Sequence, residues 1–286
     1  MIHRMLRSFI RRTFPIGAGL LTLAMATPVV AQTASGQYEP KVGQQGKDVV
    51  WVPTPPEMVE KMLDLAGVTP KDMVIDLGSG DGRNVIAAAK RGARALGVEF
   101  NEDLVEYSRK SAEKQGVGDK AKFVQGDMYE ADISQATVLA LFLLPTNLER
   151  LMPKFLALPP GTRIVANTFG LSGWTAEATT NLADGCVSWC EAMLYIVPAR
   201  VQGTWSLGSD TLELQQDVQK LSGTFTASGQ STPLENGAIK GETVTFAAAG
   251  KTYEGRVKGD TLEGVVKDAS GEKRFSARRT SGPAKN

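Results

Sequence analysis

Three glycines at alternate positions, Gly78, Gly80 and Gly82, separate an apolar run (Met73, Val74, Ile75, Leu77) from a helix-forming stretch. Without a Cβ they let the backbone turn sharply and lie close to a ligand. The unpaired N–H groups of the following helix point back toward that turn, which makes a seat for a carboxylate or a sugar. Two acids, Glu99 and Asp127, stand at or just beyond the ends of the next two strand-like runs. If those runs are parallel strands, both acids reach the carboxyl edge of the sheet, where open α/β sheets bind ligands. The chemistry offered is hydrogen bonding to a small polar molecule by a glycine turn and two carboxylates. Phosphate-binding patterns do not fit: Arg83 stands where a dinucleotide fingerprint needs its third glycine, and no Gly-Lys-Ser/Thr follows.

The elements that must position these groups alternate. Residues 73–77 form a run too short for a core helix and right for a strand buried on both faces. Periodicity then predicts a helix over 83–91, a strand over 94–99, a helix over 102–115, a strand over 122–125, an apolar strand over 137–142, a helix over 147–156 and a strand over 163–169. This is a doubly wound parallel α/β sheet. Asn101 is placed to cap the second of these helices, and Gly92 and Gly116 to end the first two. Upstream, Thr54 is read as an N-cap, Pro55 as the first helical residue and Glu57 as the partner in a capping box. Met58, Val59, Met62, Leu63 and Ala66 give that helix one apolar face.

At these residues the chain resembles the class I S-adenosylmethionine-dependent methyltransferases. The resemblance rests on Asp76-x-Gly78-x-Gly80-x-Gly82, on Glu99, and on Asp127 with Met128, and covers about residues 50–170. It implies that Asp76, Gly78, Ser79, Gly80 and Gly82 face the methionine part of the cofactor. It further implies that Glu99, with Phe100 beside it, accepts from the ribose hydroxyls, and that Asp127 and Met128 form the adenine pocket. The lead-in Val52-Pro53-Thr54-Pro55 is similar to a narrower group. That group includes bacterial proteins of unassigned substrate and the mitochondrial enzymes that methylate a lysine of the ATP synthase c-subunit. In it the threonine region closes over the cofactor, which adds Thr54 to the expected contacts, although capping alone also explains a threonine there.

Methyl transfer from a sulfonium is an in-line displacement in which positioning alone supplies roughly 7 to 11 kcal/mol, so no dedicated base is obligatory. The substrate-facing loop in this fold is Leu143-Leu144-Pro145-Thr146-Asn147. Enzymes that methylate bases or glutamine amides usually carry Asn/Asp-Pro-Pro-Tyr/Phe there, and its absence argues against nucleic acid bases. Leu144, Pro145, Thr146, Asn147, Asn167 and Thr168 are the expected groups near the acceptor; Thr146 or Asn147 also suits a helix cap. A lysine acceptor must shed a proton that its reference pKa of about 10.4 retains. An apolar channel, which Phe142, Leu143 and Leu144 are able to line, lowers that value by desolvation. The resemblance to the class I enzymes and to the narrower group, whose loop has a similar Leu-Leu-Pro, implies S-adenosylmethionine as cofactor and an amine as acceptor, either a protein lysine or a small molecule.

Residues 1–31 carry Arg4, Arg7, Arg11 and Arg12, no acid, and then an apolar run from Ile16 to Ala31. They read as a signal peptide cleaved before Gln32, with an uncleaved inner-membrane anchor as the alternative; both place the folded chain in the periplasm or outside the cell. Arg11-Arg12-Thr13-Phe14 also looks like a twin-arginine signal, without its usual flanking serine and lysine. Removing the leader leaves 28 Lys and Arg against 31 Asp and Glu, which excludes a basic nucleic-acid footprint. The only histidine, His3, lies in the leader, so a His base and a His-ligated metal are excluded from the mature chain. No metal is expected. Cys186 and Cys190 would lie about 13 Å apart on a strand, and a helix would strain a bridge between them. Two small buried thiols are the expectation.

Residues 32–48 read as a flexible polar lead-in and 49–198 as the methyltransferase domain. From 199 to 280 short alternating runs recur at 203–207, 211–215, 221–226, 243–247, 253–257, 261–266 and 273–278. Turn pairs such as Asn236-Gly237 and Gly259-Asp260 mark them as an antiparallel meander of seven or eight strands, closed into a small barrel or sandwich. Residues 281–286 read as a disordered tail. The module resembles small β-domains of secreted bacterial proteins that open with Gly-Thr-Trp. Its expected core is Trp205, Phe225, Phe246, Tyr253 and Phe275. A second reading competes with the enzyme: an exported binding protein that keeps the cradle without turnover and holds an envelope partner through its β-domain.

Overall fold

A computed structural model describes residues 38–183 and 186–282; the expected signal peptide and the last four residues of the expected tail lie outside the described residues. After α1 (Pro56–Leu65) the chain alternates: β1 (Met73–Leu77), α2 (Arg83–Lys90), β2 (Arg94–Glu99), α3 (Glu102–Lys114), β3 (Ala121–Gln125), β4 (Val138–Leu141), α4 (Pro145–Phe155) and β5 (Arg163–Asn167). Two further strands, β6 (Ala178–Asn181) and β7 (Glu191–Ile196), complete a seven-stranded sheet in the order β3-β2-β1-β4-β5-β7-β6. The first five strands are parallel. β7 runs antiparallel to both β5 and β6, so the sheet is mixed at one side.

Successive residues of each strand feed opposite faces, as a two-residue period demands. Val74, Val138, Ala140 and Val165 pack with Met58, Met62, Val85 and Ala88 under α1, α2 and α3. Ile75, Leu77, Leu139, Leu141 and Ile164 pack with Leu148, Leu151, Phe155, Trp174 and Tyr195 on the other face, under α4. Burial on both sides is why these strands read as unbroken apolar runs.

Caps follow expectation in part. Asn101 Oδ1 accepts from the N–H groups of Asp103 and Leu104, at 2.9 and 3.2 Å. Gly92 and Gly116 follow the last turns of α2 and α3 with φ of 88° and 70°. The capping box at α1 does not form: Pro55 occupies the N-cap, no side chain caps the helix, and Pro56 is its first residue. Thr54 is instead buried, and its carbonyl accepts from Arg83 Nη1. α4 likewise starts at Pro145 with Leu144 as N-cap, so neither Thr146 nor Asn147 caps it. In both helices the proline, with φ already fixed, sets the start.

Part of the expected flexible lead-in is folded. Residues 41–51 fold into a turn in which Gly43 N donates to Trp51 O and Trp51 N to Gln44 O, both at 2.9 Å, and Tyr38 packs edge-on against Tyr107.

The C-terminal module is a closed antiparallel barrel. The strands are β8 (Gly203–Leu207), β9 (Asp210–Asp217), β10 (Lys220–Ala227), β11 (Gln230–Pro233), β12 (Glu235–Lys240), β13 (Thr243–Ala248), β14 (Lys251–Lys258), β15 (Thr261–Asp268) and β16 (Gly271–Ser281); they pair in chain order except that β11 and β12 both pair with β10, and β16 returns to β8. β11 and β12 divide one edge of β10 between them and act as one broken strand. Sequence patterning missed both, because Asn236 and Gly237 lie inside β12 at a register shift rather than in a turn. Gly259 and Asp260 do form the turn between β14 and β15. Trp205, Phe225, Phe246 and Tyr253 are buried in the barrel and Phe275 packs against them, with Phe246 stacked on Tyr253 at 4.7 Å. The barrel sits against the α/β unit through Gln219 Nε2 to Thr175 O at 2.9 Å and a Lys240–Glu177 ion pair at 2.8 Å.

At the amino edge of the sheet, buried Asp72 ties three segments together. It accepts from Thr69 N and Thr69 Oγ1 at 2.7 and 2.9 Å and from Thr137 Oγ1 at 2.7 Å, and it pairs with Arg163. Burial alone would raise its pKa, but the hydrogen bonds from Thr137 and Thr69 and the Arg163 charge outweigh it and hold the carboxyl below its ordinary value. Asp72→Asn is expected to cost about 2 kcal/mol in urea unfolding at neutral pH. A depressed folded-state pKa contributes stability that is present above the unfolded value of about 3.9 and lost as pH falls through the folded one. The gap between variant and parent should therefore narrow in acid; a gap that widens there would contradict this account.

Candidate active site

The carboxyl ends of β1, β2, β3, β4 and β5 open into a cavity of about 140 Å³, with a smaller one of about 30 Å³ beside the glycine turn. The turn is pinned to the end of β2. Gly78 N and Ser79 N donate to Val98 O at 2.8 and 3.1 Å, and Gly80 N donates to Glu99 Oε2 at 2.9 Å. Glu99 Oε1 accepts from Asn101 N at 2.9 Å. Both carboxylate oxygens are thus oriented by backbone amides, and each keeps acceptor capacity toward the cavity that Glu99 lines.

Glycine at 80 is required by what lies over it: a Cβ there would meet Trp51 Nε1 at 2.3 Å, and its φ is 55°. Gly82 answers a different need. Its φ is 79°, and a Cβ would strike Phe123 at 2.6 Å and Ser108 at 2.9 Å, so it seats α2 and lines neither cavity.

The larger cavity brings together Gly78, Glu99, Phe100, Asp127, Met128 and Leu144 with Phe142 and Leu143. The smaller one gathers Thr54, Asp76, Gly78, Ser79 and Gly80 with Asn84 and Arg83. Pro145, Thr146, Asn147 and Asn167 line neither. Pro145 and Thr146 are exposed on the first turn of α4. Asn147 is buried, and its Nδ2 donates to Tyr129 Oη at 2.7 Å, which ties α4 to the segment after β3. Asn167 is 1% exposed, and its Oδ1 accepts from Thr168 Oγ1 at 3.0 Å. Asn167 Nδ2 has no hydrogen-bond partner among the described residues.

Asp127 is engaged from the polar segment that the sequence presented as a linker. Lys47 Nζ pairs with Asp127 Oδ2 and lies 5.1 Å from the centre of the Phe100 ring, while Tyr129 N donates to Asp127 Oδ1 at 2.9 Å. Lys47 first, and then the Tyr129 amide, hold this carboxyl below its ordinary pKa. Trp51 and Lys47 were not singled out from the sequence; a tryptophan and a lysine in a short polar stretch before the first helix were the available signal.

Cys186 and Cys190 form a disulfide with Cα atoms 5.9 Å apart, contrary to the expectation of two buried thiols. Residues 186–190, between β6 and β7, are neither strand nor helix, so the distances of regular elements do not apply.

Strand order β3-β2-β1-β4-β5-β7-β6, a glycine turn after β1 and acids at the ends of β2 and β3 define a class I methyltransferase of the S-adenosylmethionine-dependent kind. Residues 76–178 match the model of the ANTKMT methyltransferase domain. A protein-lysine N-methyltransferase of Saccharolobus islandicus is 43% identical over 140 residues, spanning 48% of this chain and 87% of that protein. The lysine N-methyltransferase of Mus musculus that acts on the ATP synthase c-subunit is 36% identical over 167 residues, spanning 58% of this chain and 63% of that one. A solved RNA methyltransferase from Salinibacter ruber, in complex with S-adenosyl-L-homocysteine, is 43% identical and spans 52% of this chain and 96% of its own, with a TM-score of 0.49. The chain belongs to the ANTKMT methyltransferase family. The family match ends at residue 178, before the barrel begins.

The residues present fit the cofactor on structural grounds. The buried Ser79 Oγ and Asn84 Oδ1 beside the small cavity have no hydrogen-bond partner among the described residues. Buried polar atoms without partners are costly and mark places where a polar ligand completes the bonding.

Asp76, 3% exposed, accepts from Asn84 Nδ2 at 3.0 Å. Burial pushes its pKa well up; the Asn84 bond opposes that shift, while the charges of Glu99 and Asp81 add to it. With a raised folded-state pKa, its contribution to stability is full below the unfolded value of about 3.9 and is lost as pH rises toward the folded one. Asp76→Asn should therefore melt above the parent at neutral pH and converge with it in acid, by circular dichroism. A variant that melts lower at every pH would refute this reading of Asp76.

Proposed function

We propose that this chain is a protein-lysine N-methyltransferase acting outside the cytoplasm. The observation that carries the reading is the single cavity in which the glycine turn, Glu99 and Asp127 meet the apolar wall of Phe142, Leu143 and Leu144. In this reading Gly78, Ser79, Gly80, Asp76 and Thr54 hold the methionine part, Glu99 takes the ribose hydroxyls, and Asp127, Met128 and Phe100 take the adenine. Lys47 must release Asp127 for that last contact. S-adenosylmethionine supplies an electrophilic methyl carbon, and the chain supplies alignment, with Leu143 and Leu144 as the apolar part of the approach that favours the neutral amine at the moment of transfer. The lysine acceptors named for the Saccharolobus and mouse relatives support a protein amine over other nucleophiles.

Export is supported by the arginine-led apolar leader and by the Cys186–Cys190 disulfide, a bond that persists in oxidising compartments. Passage of the folded chain through the twin-arginine route would carry the cofactor with it. The barrel interior is filled by Trp205, Phe246 and Tyr253, so its part in this reading is to present an outer surface to an envelope partner rather than to enclose a small ligand.

Calorimetric titration with S-adenosylmethionine and S-adenosylhomocysteine tests the cradle. Micromolar binding of both is expected, weakened by about 1 to 3 kcal/mol in Glu99→Ala and in Asp127→Ala. Lys47→Met should tighten both by freeing Asp127. Unchanged affinity in both acid variants would sink the site assignment. Transfer of a labelled methyl group to lysine-containing envelope proteins then tests turnover; product binding without transfer would favour the non-catalytic reading.

A further inference from the structure

On the far side of β1 from Glu99 and Asp127, the wall of the larger cavity is aromatic. Phe142 follows β4, Phe169 follows β5 and Trp189 lies just before β7; all three are half-buried and all three line the cavity. Their ring centroids form a triangle of 5.3 Å (Phe142 to Trp189), 6.1 Å (Phe169 to Trp189) and 6.4 Å (Phe142 to Phe169). Phe142 also lines the small cavity beside the glycine turn, so the cluster begins where the two cavities meet.

The backbone that delivers these rings is constrained. Thr168, with φ of 65°, sits in a tight turn in which Phe169 N donates back to Asn167 O, while Thr168 N donates to Glu191 O on β7, both at 2.7 Å. Trp189 itself has φ of 61° and lies inside the five-residue loop closed by the Cys186–Cys190 disulfide. Non-glycine residues hold such conformations only where their surroundings fix them, and such positions cluster at ligand clamps. Ring faces attract cations within about 6 Å of their centroids. Among the described residues the cation–π contacts use Phe100, Tyr129 and Trp205 and leave these three rings free.

We propose that Phe142, Phe169 and Trp189 form the acceptor subsite, which receives an alkylammonium group on its ring faces, and that the Cys186–Cys190 disulfide holds Trp189 in it. This rests on the cofactor reading above. An amine is cationic before it sheds its proton and again once methylated, so the rings select amines over alcohols and thiols of the same shape. Plain packing would bury the three rings; their placement along an open cavity is what a binding surface requires.

The test uses the full chain saturated with S-adenosylhomocysteine, titrated with Nα-acetyl-lysine methylamide and with the same molecule bearing a hydroxyl in place of its amine. The amine should bind about tenfold more tightly than the alcohol. Trp189→Ala and Phe169→Ala should bring the two toward equal affinity, Trp189→Tyr should keep the preference, and all three should bind S-adenosylhomocysteine as the parent does. The paired change Cys186→Ser with Cys190→Ser should act like Trp189→Ala. Equal binding by the parent, or a full preference in Trp189→Ala, overturns the subsite; a full preference in the serine pair overturns the clamp. Failure of S-adenosylhomocysteine to bind at all is a different result and overturns the cradle along with the subsite.

Discussion

Everything at the site depends on how closely the glycine turn lies against the end of β2. Three consecutive amides, of Gly78, Ser79 and Gly80, are satisfied there, two by the Val98 carbonyl and one by the Glu99 carboxylate. That approach exists because Gly97 carries no side chain: a Cβ would stand 2.5 Å from Ser79 Oγ and 2.7 Å from Phe123. The same crowding recurs at Gly82, over Phe123, where α2 begins. Glu99 is consequently both a structural acceptor and a wall of the cavity, and its oxygens are aimed before any ligand arrives.

The sheet order then divides labour across β1. On one side, β2 and β3 deliver the two acids; on the other, β4, β5 and the approach to β7 deliver apolar and aromatic groups. Over the top lie residues 45–52, with Trp51 against Gly80 and Lys47 on Asp127. Arg83 fastens this cover from below, bonding Asp81 and the Thr54 carbonyl. A recognition half, a reaction half and a cover are thus assembled from segments widely separated in sequence.

What was legible in the sequence follows from which signals are local. β1, β2 and β4 are buried on both faces, so each announces itself as an apolar run, and Asn101, Gly92 and Gly116 mark helix ends because capping is decided within a turn. β6, Ala-Thr-Thr-Asn, is an exposed edge strand with no apolar face to read, and β11 is polar for the same reason. Thr54 misled because a proline can start a helix without a side-chain cap. The disulfide escaped because its geometry belongs to a loop. The aromatic cluster had no local signature either, since each ring comes from a different connection and only the sheet brings them together.

The closure of the barrel has a consequence for how the chain is made. Its first strand, β8, is sealed only when its last, β16, pairs with it, whereas every strand of the cradle sheet has been synthesised by Ile196. Long-range pairing of that kind is slow, because the intervening loop must be closed before the contact is gained. The α/β unit can therefore collapse around its glycine turn while the barrel still lacks its final staves.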